Sequence, residues 1–165
     1  MAQLFTAGFL DRLLYDPGEH ARGGHGTDLT LAQFKSGIAR DLEALLNTRT
    51  AISHDVLAAY PECSNSILNY GLSDFSHLCL GSSVDRDTIC AAVKAAIERH
   101  EPRLRDVSAS LRIAPGSTCR VDLVISAVLQ TQAASEPVQF DAQLDSATQQ
   151  YSIQTPGAVT QVETA

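Results

Sequence analysis

The chain has 165 residues, 44% of them hydrophobic, which is enough to bury one core and fits a single domain. Its 12 Lys and Arg residues against 19 Asp and Glu residues give a formal charge of -7 and a pI near 5.0. This charge argues against a polyanion held on a basic face, so we expect no nucleic-acid partner.

The sequence contains no apolar run approaching the roughly 18 residues that a membrane-spanning helix needs. The first residues, MAQLFTAGFLDRLL, lack the basic region and the long apolar stretch of a signal peptide. We therefore expect a cytoplasmic protein without direct membrane insertion.

The cysteines and histidines do not form a recognisable ligand pattern. There is no C-x-x-C pair, no H-E-x-x-H motif and no histidine pair at i, i+4 spacing. We predict reduced, mostly buried cysteines and neither a metal site nor a cofactor. The cysteines are Cys63, Cys79, Cys90 and Cys119.

The N-terminal part divides into two short segments. Apolar residues in LFTAGFLDRLLY, residues 4–15, lie close to helical spacing and predict a short amphipathic element. The next segment, DPGEHARGGHGTD, is rich in glycine and predicts a flexible linker. We therefore divide the chain into an N-terminal segment and linker at 1–29, a folded domain at 30–154 and a mobile tail at 155–165.

The first long helix has a clear start signal. Thr30 and Gln33 have capping-box spacing, and an apolar face then repeats until about Asn47. Its apolar residues are Phe34, Ile38, Leu42, Leu45 and Leu46. Residues 48–82 contain Pro61, Gly71 and Gly81 and predict an irregular, partly buried connection, and a connection of this length usually has a function.

A second helix is predicted to start near Asp85, which is a common N-cap residue. Its apolar face contains Ile89, Val93, Ala96 and Ile97. Pro102 disfavours the helical conformation at Glu101, so the helix should end near His100 or Glu101.

Alternating apolar residues then predict strands. The first carries Val107 to Ile113, the second Cys119 to Leu129, the third Val138 to Leu144, and a short fourth holds Tyr151 and Ile153. We expect an α+β fold in which two main helices pack on one face of a small antiparallel meander of three to four strands.

Four segments together resemble the signature segments of the TssE family of type VI secretion systems. That family is related to the small wedge protein of contractile phage baseplates. The resemblance runs from about residue 35 to residue 153, and the segments keep the family's order and spacing. They are RDLEALLNTR at 40–49, YPE at 60–62, SILNYGL at 66–72 and IERHEPRL at 97–104. The family tends to have an apolar residue at Cys63, a proline at Ser73 and an aromatic residue at His100.

The resemblance implies a structural baseplate component at the cytoplasmic face of the inner membrane, with no enzymatic turnover. Such a protein joins the wedge proteins TssF and TssG and starts polymerisation of the TssB/TssC sheath around the Hcp tube. TssK is a further candidate partner. In that family the motif corresponding to Glu101, Pro102 and Arg103 is tied to sheath assembly.

Elementary electrostatics gives this Glu-Pro-Arg corner two interpretations. A negative Glu101 at a helix C-terminus is disfavoured by roughly 0.3–1 kcal/mol, and Arg103 can compensate it or bind a partner's carboxylate. Alternatively, the corner is only a helix stop with a solvated ion pair worth about 0–1 kcal/mol. We favour an assembly contact because of the resemblance.

Other residues have competing interpretations. Arg40, Asp41 and Arg49 form either a solvated helix face or a contact with a wedge protein. Asn69, Tyr70 and Gly71 are typical of a turn packed on the core. An open edge of the C-terminal sheet could also accept a strand of the first sheath subunits.

The alternative function is a peptidoglycan glycoside hydrolase, which needs two carboxyl groups about 5–9.5 Å apart, one with a raised pKa. Glu43, Glu62, Asp74 and Glu101 supply carboxylates, but the sequence does not show that any two converge. No G-x-S-x-G motif indicates a serine nucleophile. We therefore expect no enzymatic activity.

Overall fold

The structure, a computed structural model, describes residues 5–6, 28–52, 54–113, 121–131, 135–145, 148 and 150–154. The helices are α1 (Leu31–Asn47), α2 (His54–Ala58) and α3 (Ser83–His100), with two 3-10 helices at Pro61–Asn65 and Ile67–Asn69. The strands are β1 (Phe5–Thr6), β2 (Asp28–Leu29), β3 (Leu104–Ile113), β4 (Val121–Gln130), β5 (Ser135–Asp145) and β6 (Gln150–Gln154).

The main sheet has four strands in the order β3-β4-β5-β6, and each neighbouring pair is antiparallel. Helix α3 packs against β3, and α1 packs against β6. The predicted α+β meander with two main helices is therefore confirmed, with the fourth strand included.

The core lies between the two long helices and the sheet. Ile38 of α1, Val93 of α3 and Ile125 of β4 are each 0% exposed. Full burial of such a side chain stabilises the fold by about 1.5–3 kcal/mol. The alternation predicted for β4 is present at Leu123, Ile125, Ala127 and Leu129, which all join this core.

Helix α1 begins and ends where the sequence predicts. The hydroxyl of Thr30 accepts a hydrogen bond from the Gln33 amide at 3.3 Å, and the Gln33 side chain accepts one from the Thr30 amide at 2.9 Å. This reciprocal capping box fixes the first turn.

Helix α3 begins earlier than predicted. Its N-cap is Ser82, whose hydroxyl accepts a hydrogen bond from the Asp85 amide at 3.3 Å. Asp85 lies inside the first turn, and its carboxylate accepts a hydrogen bond from the Cys79 amide at 3.0 Å. The helix thus starts near Asp85, but the choice of Asp85 as its N-cap is wrong, because a second capping residue lies three positions upstream. Its predicted end at His100 is confirmed.

The connection between α1 and α3 is irregular, as predicted, and one glycine fixes its path. Gly71 has φ +109°, and a Cβ atom there would lie 2.5 Å from the carbonyl oxygen of Thr48. This close approach lets the Leu72 amide donate to Thr48 O at 2.9 Å, while the Thr50 amide donates to Leu72 O at 3.0 Å. The connection is therefore held against the end of α1.

The N-terminal prediction is wrong where it can be compared. Phe5 and Thr6 form a strand that pairs with Leu29 and Asp28, whereas the spacing of residues 4–15 predicted a helix. A short apolar run is compatible with a helix or a strand, and here the pairing with β2 favours the strand. The other residues of the predicted amphipathic segment, residues 16–27 of the predicted linker, Cys119 and the tail from 155 lie outside the described residues.

Candidate protein interaction site at the end of α3

The Glu-Pro-Arg corner is a tight turn between α3 and β3. Glu101 caps the helix, and its amide donates to Ile97 O at 2.8 Å. Its carbonyl accepts a hydrogen bond from the Leu104 amide at 3.1 Å, which closes the turn, and Pro102 lies exposed on the outside. The helix therefore stops where Pro102 removes a backbone donor.

The side chain of Glu101 points inward. Glu101 is 4% exposed and is the buried charged residue of the described part of the chain. Arg103 binds it in a fork: Nε donates to Oε1 at 2.5 Å, and Nη2 donates to Oε2. The Arg103 amide also donates to Oε1 at 3.2 Å. This paired geometry is the strong form of a charge-assisted hydrogen bond.

A third charged residue reaches the corner from α1. Arg103 Nη2 donates to Asp41 Oδ2 at 2.5 Å, across a sequence separation of 62 residues. The guanidinium carbon of Arg103 lies 5.7 Å from the centroid of the Phe34 ring, so the cation also rests over an aromatic face. We call Asp41, Glu101 and Arg103 the charged triad; it joins α1, α3 and β3.

The charged triad affects two pKa values, that of Arg103 within it and that of the neighbouring Tyr70. Burial by itself lowers the pKa of Arg103, but the hydrogen bonds and charges of Glu101 and Asp41 outweigh it and raise the pKa above its usual value. Burial raises the pKa of Tyr70, and the negative charges of Asp41 and Glu101 raise it further. Arg103 is therefore a permanent cation between two carboxylates.

The predicted site residues do not all lie together. Arg40 joins the triad at its exposed side, with Nη2 3.5 Å from Asp41 Oδ1. Arg49 is bound elsewhere: its Nη1 donates to the Leu46 carbonyl at 2.8 Å, at the end of α1. The structure thus places Arg40, Asp41, Glu101, Pro102 and Arg103 in one region and Arg49 apart from their ion pairs.

The burial of Glu101 contradicts one interpretation of the corner. A solvated ion pair would expose both partners, whereas the side chains of Glu101 and Arg103 are only 6% and 22% exposed. The guanidinium is already bonded to two carboxylates of its own chain. The corner is therefore an internal connection that leaves Pro102 and Arg40 at the surface.

Sequence reasoning missed the aromatic neighbours of the triad. The rings of Tyr70 and His100 meet edge to face at 5.2 Å, and His100 Nε2 lies 3.0 Å from the Asn69 carbonyl oxygen. Tyr70 also packs against the core, as its turn interpretation predicts. Sequence spacing gives no signal for either contact, since His100 and Asn69 belong to separate elements.

The two edges of the sheet differ. At the β6 edge, Asn47 of α1 donates to the Tyr151 carbonyl at 2.8 Å and accepts from the Tyr151 amide at 2.7 Å. Glu43 of α1 accepts from the Ile153 amide at 2.9 Å. Helix α1 therefore takes the place that an added strand would occupy there. The β3 edge carries the exposed residues Ser108, Ser110 and Arg112.

Three of the four carboxylates considered for glycoside hydrolysis, those of Glu43, Asp74 and Glu101, have internal partners. Glu43 binds the Ile153 amide, and Glu101 binds Arg103. Hydrogen bonds from the Ser76 amide and hydroxyl lower the pKa of Asp74, the opposite of what a catalytic acid needs. These contacts do not favour a pair of catalytic carboxyl groups.

The described ranges contain neither a candidate membrane-spanning helix nor a candidate metal cluster. No helix there combines the length and apolar character needed to cross a bilayer. Across those same residues, no three or more His, Cys, Asp or Glu side chains cluster in a way that could hold a metal ion.

Comparisons with known proteins identify the family. The model of the family described as "Baseplate wedge protein gp25" matches residues 32–134. A solved structure titled "The baseplate complex from the type VI secretion system" is similar, with 13% identity and a TM-score of 0.47 over 68% of this chain and 95% of that one. No curated protein matches the chain. Since the family match covers more than half of the sequence, the chain belongs to the family of the baseplate wedge protein gp25, in agreement with the predicted resemblance.

Proposed function

We propose that this chain is a structural component of a type VI secretion baseplate that joins the wedge proteins TssF and TssG and initiates polymerisation of the TssB/TssC sheath. The sheath would form around the Hcp tube, and TssK is a further candidate partner. The protein would act in the cytoplasm, at the inner membrane, without catalysing a reaction. Membership of the gp25 family supports a structural role in a baseplate; the finer assignments rest on the segments that resemble TssE.

The observation that carries the proposal is the charged triad. It joins α1 to the helix-strand corner, and the Arg103 carbonyl continues into the sheet by accepting a hydrogen bond from the Gln130 amide at 2.9 Å. Arg103 thus binds Asp41 of α1 and Glu101 at the end of α3, and its carbonyl bonds to the end of β4. The triad therefore fixes where β3 begins. A sheath-initiating surface that includes β3 would depend on this connection.

The sheet edges suggest where a sheath strand would add. Added strands need unpaired backbone N–H and C=O groups along an edge. Asn47 and Glu43 of α1 bind such groups of β6, which supports β3 as the receiving edge.

Photo-crosslinking distinguishes the two edges. Ser110 of β3 and Ser152 of β6 are both exposed serines, so a photoreactive amino acid at each position makes a matched pair. We expect cross-links to TssB or TssC from position 110 and none from position 152. Sheath cross-links from position 152 alone would reject the β3 edge.

Affinity co-purification tests the corner. Tagged wild type, Glu101→Ala and Arg103→Ala are compared in cells expressing the other secretion components, with wedge proteins and sheath scored separately. Arg99→Ala is the matched control, because Arg99 is an exposed arginine in the last turn of α3 and lies outside β3. We expect the two corner variants to keep the wedge proteins and lose the sheath, and the control to keep both.

Thermal unfolding of each purified variant accompanies this experiment, since Glu101 is buried. Corner variants that stay folded at the assay temperature and still recover wild-type amounts of sheath would overturn the role of the corner in sheath initiation.

A further inference from the structure

Exposed apolar side chains are concentrated in the connection between α1 and α3. Of the five large hydrophobic residues exposed in the described part of the chain, four lie between positions 56 and 68. Their exposed fractions are 55% for Val56, 62% for Tyr60, 85% for Ile67 and 50% for Leu68. We call these four residues the 56–68 patch. Large apolar side chains that are exposed on one short segment make that segment a candidate interaction site.

The patch is carried by supported backbone. Leu57, beside Val56, is only 5% exposed and anchors α2. The α2 helix contacts the first 3-10 helix, which contacts the second. The second ends at Asn69, whose carbonyl lies 3.0 Å from His100 Nε2. The apolar side chains therefore project from short helices that contact one another and reach the end of α3.

One end of the patch lies near the charged triad. Tyr70 follows the second 3-10 helix, and its amide donates to the Ile67 carbonyl at 3.1 Å. Its ring meets His100, the residue before Glu101, at 5.2 Å. Burial raises the pKa of Tyr70, and the negative charges of Asp41 and Glu101 raise it further. The second 3-10 helix, which carries Ile67 and Leu68, therefore lies beside the residue that precedes the corner.

The surroundings of the patch are acidic. The sequence has no lysine or arginine between Arg49 and Arg86. Asp55 of α2 and Glu62 of the first 3-10 helix are both exposed and lie on the same elements as the patch. An apolar centre with a negative rim is complementary to apolar side chains flanked by positive charges.

We propose that the 56–68 patch binds an amphipathic segment of a neighbouring wedge protein that presents apolar side chains flanked by lysines or arginines. This inference rests on the proposed function and assigns the wedge contact to a surface separate from β3. Ile67, the most exposed of the four, inserts into the partner, while Asp55 and Glu62 pair with its cations.

The test uses TssF and TssG co-expressed with the tagged full chain, and measures how much of each is recovered. Ile67→Asp combined with Leu68→Asp places charge in the patch, and Val84→Asp is the matched control. Val84 is 71% exposed and lies at the start of α3. Val84 lies about 24 Å along the helix axis from His100, since a helix rises about 1.5 Å per residue. It is therefore far from the end of α3 that the patch approaches. We expect the double variant to lose at least about tenfold in recovery and the control to match wild type.

A second variant tests the charge complementarity while leaving the apolar residues intact. Asp55→Lys with Glu62→Lys should lower recovery of TssF and TssG at low salt, and the difference from wild type should shrink as salt rises. This variant also keeps the inference falsifiable if the apolar substitutions impair folding.

The outcomes separate the two proposals. If wild type does not recover TssF and TssG, the proposed function fails and the inference falls with it. If wild type recovers them and both patch variants do so equally well, only the inference is overturned. Loss of sheath with full retention of TssF and TssG would also overturn it, because the patch would then contact the sheath.

Discussion

Arg103 at the start of β3 donates a hydrogen bond of 2.5 Å to Asp41 in the middle of α1. The same guanidinium binds both carboxylate oxygens of Glu101, which closes α3. One cation therefore connects the two long helices with the first strand of the sheet. This arrangement makes the Glu-Pro-Arg corner part of the internal framework of the fold.

Replacing Arg103 should destabilise the fold. Arg103→Ala removes the cation that Glu101 and Asp41 share, and Glu101 is only 4% exposed. Loss of one partner of a buried pair costs about 3–5 kcal/mol, and the partial exposure of Arg103 argues for the lower end. Urea denaturation of Arg103→Ala and of the exposed control Arg105→Ala measures the difference. Equal midpoints would show that the triad does not stabilise the fold.

Gly71 should tolerate no side chain, in contrast to Gly81. Gly71→Ala meets a positive φ and a carbonyl oxygen 2.5 Å from the new Cβ, and should cost about 1–3 kcal/mol. At Gly81 the new Cβ would lie 3.6 Å from Cys79 Sγ, an ordinary contact, so Gly81→Ala should change stability little. Thermal unfolding of the two variants provides the comparison. A similar change in both would argue against the close approach at Thr48.

Helix α1 should protect the β6 edge from solvent. Asn47→Ala removes both hydrogen bonds to the Tyr151 backbone and should cost about 1–3 kcal/mol, because it leaves polar groups unpaired. Amide hydrogen exchange should accelerate at Tyr151. Exchange at Ile153 should instead respond to Glu43→Ala, since Glu43 binds that amide. Unchanged exchange in both variants would show that α1 does not cover this edge.

Stability should fall in strongly alkaline solution. Burial raises the pKa of Tyr151 and of Tyr70 in the folded protein. The unfolded chain therefore releases these phenol protons first, so the stabilisation is complete below about pH 10 and is lost as the pH rises above it. Urea denaturation from pH 9 to 11 should show this loss, with a smaller slope in Tyr151→Phe. A slope identical to wild type in that variant would contradict the assignment to Tyr151.

The sequence alone was sufficient for the elements whose signals are local. The Thr30–Gln33 capping box, the Pro102 stop and the two-residue alternation of the strands each depend on neighbouring residues, and each appears in the structure. The quoted segments likewise predicted the family, because their order along the chain is itself sequence information. Local competition explains the error at α3, where Ser82 and Asp85 are both capable N-caps.

Tertiary structure decided the contacts between residues far apart in sequence. Whether Arg103 faces solvent or Asp41 depends on how α1 packs beside α3, and spacing does not encode that choice. The same holds for Asn47 at the β6 edge and for Phe5, whose pairing with Leu29 overrides a helical pattern. A buried charge is tolerated only where a partner is brought to it. The sequence therefore determined the elements and the family, while packing decided which side of the corner faces inward.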